Sequence, residues 1–246
     1  MTTDTEPVRP PFVLVHGGRH GGWCWRRVAD RLRGAGHHVE TPTLTGLGER
    51  AHLLNPDIGL DTHIRDVVAV FEFADLTDAV LVAHSYAGMV VCGAMEEIAD
   101  RVRSLVFLDA HMPRTGESTL DQVDEVTAQR FITLADEKGE GWYLPPTDAS
   151  YWGITDPDDA AWVNCRTTAQ PLKTYLDRVG STDRAWAHPG TFIECRSPSQ
   201  AALIPFERPR ARAAVDEHFQ YRVLEASHDA MVTAPDALTA LLLEVA

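Results

Sequence analysis

The sequence predicts an α/β fold: a mostly parallel central sheet, helices on both faces, and a cap inserted into the core. Three observations carry that reading. Short apolar, β-branched runs alternate with helix-compatible segments, the pattern of a parallel sheet crossed by helices. Such runs stop abruptly at tight turns of small residues, as Val80-Leu81-Val82-Ala83 does before His84-Ser85-Tyr86-Ala87-Gly88. The rhythm breaks between about 113 and 189, where Trp142, Tyr143, Trp152, Trp162 and Tyr175 gather around Pro145-Pro146.

Taken in order, strands are expected at Phe12–Val15, His38–Thr41, Ala79–Ala83, Ser104–Leu108, Thr191–Cys195 and Gln220–Leu224. Most are short runs dense in β-branched and aromatic residues. Helices are expected at Trp25–Arg33, Thr62–Phe73, Tyr86–Ala99, Pro209–His218 and Pro235–Val245. Gly34 and Gly36 end the first of these, because glycine closes a helix at no steric cost. Pro235 opens the last, whose apolar Leu238, Leu241, Leu242 and Val245 recur at helical spacing. The division expected is a core of 1–112 and 190–246 with 113–189 as a cap, one compact domain overall. The cap aromatics are expected mainly to form a small core of their own.

Composition narrows the class. A chain of 246 residues can bury most of its unfolded surface as one α/β domain. A formal charge of −14, dispersed along the chain, argues against nucleic acid and for simple solubility. Cys24, Cys92, Cys165 and Cys195 lack metal-site spacing, so no metal or other cofactor is expected and reduced cytoplasmic conditions fit. The polar N-terminus has no apolar signal core, and no 18-residue apolar run offers a membrane span. Lys138 and Lys173 are the only lysines beside many arginines, a bias associated with bacterial sources. A homodimer built through an edge strand or the cap stays open as a partner expectation.

The turn at Ser85 carries the chemistry. A serine between a buried strand and a helix, with Ala83 and Ala87 two residues away on each side, has the form of a nucleophile elbow. The strand-to-helix turn lifts Oγ clear of the sheet and aims the Tyr86 amide where an oxyanion would form. The bland alternative is a serine packed among small residues. Two other segments favour catalysis. The first is His16-Gly17-Gly18-Arg19-His20-Gly21-Gly22 after the first strand, whose glycines let the Gly18 amide turn inward as a second oxyanion donor. The second is His228, on the loop after the last strand, where a general base is needed.

These residues bring out a resemblance. Phe12-Val13-Leu14-Val15-His16-Gly17-Gly18, His20-Gly21-Gly22-Trp23-Cys24-Trp25, the Ser85 turn, Val106-Phe107-Leu108-Asp109-Ala110-His111-Met112-Pro113 and His228-Asp229-Ala230-Met231 resemble the α/β-hydrolases. The branch is that of plant methylesterases, plant hydroxynitrile lyases and bacterial esterases, and Thr45-Gly46-Leu47-Gly48-Glu49-Arg50 is closest to its bacterial members. The likeness fades from about Thr115 to Gly190. It implies an α/β-hydrolase fold and a serine hydrolase acting on a small to medium, partly apolar ester or lactone, with no cofactor.

The triad acid departs from the plant pattern. The resemblance puts an aspartate after the strand preceding the histidine strand, but Glu194-Cys195-Arg196-Ser197-Pro198-Ser199-Gln200 has no carboxylate in its loop, and Pro198 stands about where it should be. Asp109, one strand further in, is the leading substitute, since parallel strands lie only about 4.8 Å apart. Glu194, Glu207 or no acid at all remain alternatives, and Asp109 could instead cap a turn. Asp229, adjacent to His228, is badly placed to orient its neighbour and is expected to face elsewhere.

His20, His111, Trp142 and Trp152 are candidate substrate contacts. His16 and His84 are expected to be structural, and Arg19 and Arg50 either hold an anionic group or are solvated. Two other function classes stay open. A lyase, by carbon–carbon cleavage or elimination, is one. A hydroxynitrile lyase is disfavoured, because the resemblance puts a hydroxyl residue at Gly18 and a lysine at Asp229. A non-catalytic ligand-binding protein is the other.

Overall fold

The computed structural model describes residues 9–197 and 204–246. In chain order its elements begin β1 (Phe12–Val15), α1 (Arg26–Gly34), β2 (Val39–Glu40), α2 (Leu60–Phe73), β3 (Ala79–His84), α3 (Ala87–Ile98) and β4 (Val102–Leu108). An insertion follows with α4 (Glu125–Lys138), β5 (Tyr143–Leu144), α5 (Pro157–Asn164), β6 (Gln170–Pro171), α6 (Lys173–Leu176) and α7 (Asp183–Ala187). The core resumes with β7 (Gly190–Cys195), α8 (Glu207–Ala213), β8 (Phe219–Leu224), α9 (Ala230–Thr233) and α10 (Pro235–Glu244). Six strands form one sheet in the order β2-β1-β3-β4-β7-β8, and β5 and β6 pair separately. Every pairing in the larger sheet is parallel.

The period-2 alternation of the strands divides the interior into two layers. Val13, Leu81, Leu105, Phe107 and Phe192 face Val67 and Phe71 of α2 and the apolar side of α3. Leu14, Val80, Val82, Val106 and Ile193 face Val28 and Leu32 of α1 and Leu238 and Leu242 of α10. A strand buried on both sides must be apolar throughout, which is why β3 reads as an unbroken run up to His84.

Every expected strand and helix is present, with ends shifted by a residue or two in most cases. The exception is the helix expected over Pro209–His218, which stops at Ala213. There Asp216 accepts a hydrogen bond from the His218 amide at 3.0 Å, a local turn that competes with further helix. The insertion also differs from expectation. Its buried Leu144 and Tyr175 join one core layer, and Trp152 and Val163 join the other, so its aromatics extend the main core. The N-terminal residues before Arg9, and Pro198, Ser199 and Gln200, lie outside the described residues. No helix among the described residues is long and apolar enough to cross a membrane.

The register fixes where function can sit. His84 pairs with Leu108, Leu108 with Ile193, and Cys195 with Leu224. The loops after β1, β3, β4, β7 and β8 therefore emerge along one edge of the sheet, the carboxyl edge where open α/β sheets bind ligands.

Candidate active site

Ser85 follows β3 with φ 54°, a left-handed conformation that a non-glycine residue adopts only under constraint. Three backbone bonds supply the constraint. Ser85 N donates to Leu108 O at 3.2 Å, while Ser85 O accepts from Gly88 N and His111 N, each at 3.1 Å. Glycine is required nearby for close approach. A Cβ on Gly17 would lie 2.9 Å from Ser85 Cβ, and one on Gly88 would lie 1.9 Å from His111 O. The start of α3 thus packs directly on the loop after β4. Neither the Gly18 nor the Tyr86 amide donates to another described residue, so both remain available to an incoming oxygen.

That loop carries Asp109, itself at φ 43°. Its amide donates to Ile193 O at 2.8 Å, and its Oδ1 accepts from Cys195 N at 3.1 Å. The carboxylate therefore leans across the end of β7 toward the loop after β8, where His228 Nδ1 donates to Oδ2 at 2.6 Å. Both groups are buried. His228 Nε2 has no hydrogen-bond partner among the described residues, leaving that nitrogen as a free acceptor. Glu194 instead meets Arg210 at 2.7 Å and Tyr221 at 2.5 Å. Burial pushes its carboxyl up, but hydrogen bonds from Tyr221, Arg210 and Arg196 hold it below its ordinary value. Glu207 is exposed at the start of α8. Of the carboxylates weighed from the sequence as the acid, Asp109 is the one that contacts His228.

Beneath His228 lies a second polar cluster. Asp229 is fully buried, and its Oδ2 accepts from His20 Nε2 at 3.0 Å. His20 Nδ1 donates in turn to Gly18 O at 2.8 Å. His84, read from the sequence as core packing, donates from Nε2 to His228 O at 3.0 Å, with its ring tilted against that of His228. His16 bonds Gly17 O at 2.7 Å and accepts from Leu44 N at 3.0 Å, and burial lowers its pKa to about 3. Candidate ligand atoms of His84, His228 and Asp229 lie within 4.8 Å of one another. Hydrogen bonds engage His84 Nε2, His228 Nδ1 and Asp229 Oδ2, whereas His84 Nδ1, His228 Nε2 and Asp229 Oδ1 have no hydrogen-bond partner among the described residues.

A cavity of about 40 Å³ opens at Ser85, room for roughly three waters. His111 and Trp152 line it. His20 lies outside its lining, stacked on Trp23 and edge-on to Trp152, and Trp142 is half-buried against Tyr143. Burial first, and then the nearby His228, lower the His111 pKa to about 4, so this imidazole is neutral near pH 7. Phe131, Tyr151 and Tyr175 complete the aromatic wall. The clustering of aromatics in the insertion was the one sequence signal for them, and nothing in it separated Trp152 from Trp142. The arrangement as a whole can deprotonate a hydroxyl and stabilise an oxyanion.

Known proteins resemble this chain in sequence and in fold. Residues 12–241 match the model of the alpha/beta hydrolase family. A carbendazim hydrolyzing esterase of Nocardioides sp. (strain SG-4G) is 46% identical over 172 residues, 67% of this chain and 70% of the relative. Methylesterase 10 of Arabidopsis thaliana is 28% identical over 96% of this chain and 91% of its own. An extracellular alpha/beta-hydrolase from a Paenibacillus species, described as sharing structural and functional homology with tobacco salicylic acid binding protein 2, superposes with a TM-score of 0.83. It is 22% identical, over 96% of this chain and 99% of that one. The chain belongs to the alpha/beta hydrolase family.

Proposed function

We propose that this carboxylic ester hydrolase works through an acyl-enzyme in which Ser85 is the nucleophile, His228 the general base and Asp109 the orienting carboxylate. Ser85 Oγ attacks the acyl carbon as its proton passes to His228 Nε2. The Gly18 and Tyr86 amides stabilise the oxyanion, each worth on the order of 3 kcal/mol. His228 then protonates the leaving alkoxide, and afterwards activates the water that releases the acid. Asp109 holds the imidazole with its proton on Nδ1 and stabilises the imidazolium that forms.

The observation that carries this reading is the 2.6 Å bond from His228 Nδ1 to Asp109 Oδ2, together with an unpartnered Nε2. We read 113–189 as a cap over the site, and a small to medium, partly apolar ester or lactone as the substrate. Carbendazim, named for one relative, is the first specific compound to try. Cys24, Cys92 and Cys165, free among the described residues, support a cytoplasmic setting, and the scarcity of lysine a bacterial one. No nucleic-acid or membrane partner is proposed, and a homodimer is left to solution measurement.

The test is acyl transfer from a short-chain p-nitrophenyl ester, followed by burst kinetics and intact mass. Wild type should release a stoichiometric burst and gain one acyl group, and Ser85→Ala should do neither. A burst that survives in Ser85→Ala would remove Ser85 from the chemistry.

A further inference from the structure

We infer that Arg19 forms a subsite for a carboxylate carried by the substrate, so that esters of dicarboxylic acids with one acid group free are the preferred class. The inference rests on the acyl-enzyme reading above.

Arg19 is only 3% exposed, yet it lines the cavity that contains Ser85. Its Nε donates to Pro145 O at 3.0 Å, and its guanidinium carbon lies 5.8 Å from the Phe131 ring centre. Nη1 and Nη2 make no hydrogen bond or ion pair with any described residue. No carboxylate among the described residues lines this cavity. Arg212, also buried, shows the ordinary solution: its Nε meets Asp216 at 3.0 Å. A guanidinium does not shed its proton, so a buried one without a counter-ion is costly until an anion arrives.

The backbone supports the same conclusion. Arg19 adopts φ 64°, although Gly18 stands next to it and would take that conformation freely. The strained residue is clamped from both sides. Its amide donates to Gln170 Oε1 at 3.0 Å, and its carbonyl accepts from Thr168 N at 2.9 Å. Strain held in place this way fixes where the side chain goes. The planar pair of N–H donors, the geometry that matches a carboxylate, belongs to a side chain that lines a cavity walled in part by the aromatic rings of Phe131, Tyr151, Trp152 and Tyr175. Those walls suit the apolar chain or ring that would separate the free carboxylate from the ester.

The test compares p-nitrophenyl hemisuccinate, hemiglutarate and hemiadipate with their neutral methyl-capped counterparts, correcting for spontaneous release with Ser85→Ala. In each reaction water cleaves the acyl–oxygen bond, giving the acid and p-nitrophenolate. For at least one chain length, wild-type kcat/KM should favour the charged ester by tenfold or more. Arg19→Met should collapse that ratio at least tenfold, chiefly through KM, and Arg19→Lys should give an intermediate ratio. Should Arg19→Met fail to fold, Arg19→Gln, which keeps a donor for Pro145 O, should give the same collapse. A wild-type ratio near one, or an equal loss on both esters, would overturn the subsite and leave Arg19 as a strap to the insertion. Binding separates this idea from the mechanism beneath it. If no ester turns over but glutarate raises the melting temperature of wild type and not of Arg19→Met, the subsite stands and the acyl-enzyme reading fails.

Discussion

His228 and His20 each pair with a buried aspartate, at 2.6 Å and 3.0 Å, yet the two pairs are chemically different. The second ring nitrogen makes the difference. His20 has an acceptor on each side, Gly18 O at 2.8 Å and Asp229 Oδ2, an arrangement in which both nitrogens donate and which favours the imidazolium. Burial opposes that charge, but Asp229 outweighs it and raises the His20 pKa, while Asp229, despite its burial, is lowered by His20. His228 has one acceptor and one unpartnered nitrogen, so its Nε2 is placed to accept a proton. A histidine–carboxylate contact does not identify a catalytic pair until the other nitrogen has been followed.

The largest expected effect separates the two aspartates. Asp109→Asn should lower kcat by about 10⁴, as loss of the orienting carboxylate does in serine proteases. Asp229→Asn should cost far less in turnover and far more in stability, about 3–5 kcal/mol, because it leaves a buried imidazolium unpaired. Turnover and denaturant unfolding on both variants decide the matter. If Asp229→Asn loses as much kcat as Asp109→Asn, the two pairs do not differ in role.

The pH dependence of stability sharpens the contrast. His20 has its pKa raised above 6.5, so its contribution is complete below that value and is lost as pH rises through the raised one. His16, His63 and His111 behave oppositely. Burial lowers them to about 3, about 4 and about 4, so the unfolded chain binds more protons below 6.5 and stability falls as pH drops toward those values. Unfolding free energy should therefore peak near the ordinary histidine pKa. His20→Gln should flatten the alkaline arm and leave an acid arm. An unchanged alkaline arm would mean His20 is not charged in the folded protein.

The sequence made the core legible because its signals are local. Strands buried on both faces have to be apolar throughout, and the turn at Ser85 admits only small neighbours. The acid was harder, since Asp109 reaches His228 only by leaning across β7 onto Cys195 N, and no spacing encodes that lean. Asp229 was expected to face away from His228, but its partner, His20, lies 209 residues earlier in the chain, beyond the reach of any local pattern. Arg19 was ambiguous for the same reason. An arginine is assumed solvated until the fold buries it.

Gly88→Ala probes the support shared by the nucleophile and the acid. The added Cβ would sit 1.9 Å from His111 O, and the backbone cannot yield without moving the loop that holds Asp109. A loss of about 1–3 kcal/mol, typical of overpacking, should accompany a fall in kcat. Lost stability with full turnover would show that α3 shifts alone and that the loop after β4 is independently held.

The smallest effect comes from a carboxylate that meets no histidine. Asp156 caps α5 in the insertion, accepting from the amides of Asp158 and Asp159 at 3.0 Å and 2.9 Å, and it is exposed. Asp156→Ala removes the cap and should cost about 1 kcal/mol. In a chain of this size that lowers the melting temperature by roughly 2–4 °C. Turnover should stay within twofold, because α5 reaches the core through Val163 and not through the cavity wall. A larger loss of kcat would mean that the insertion transmits its stability to the site. Trp152, which lines the cavity while its carbonyl accepts from the His228 amide at 3.1 Å, would then be the route to examine.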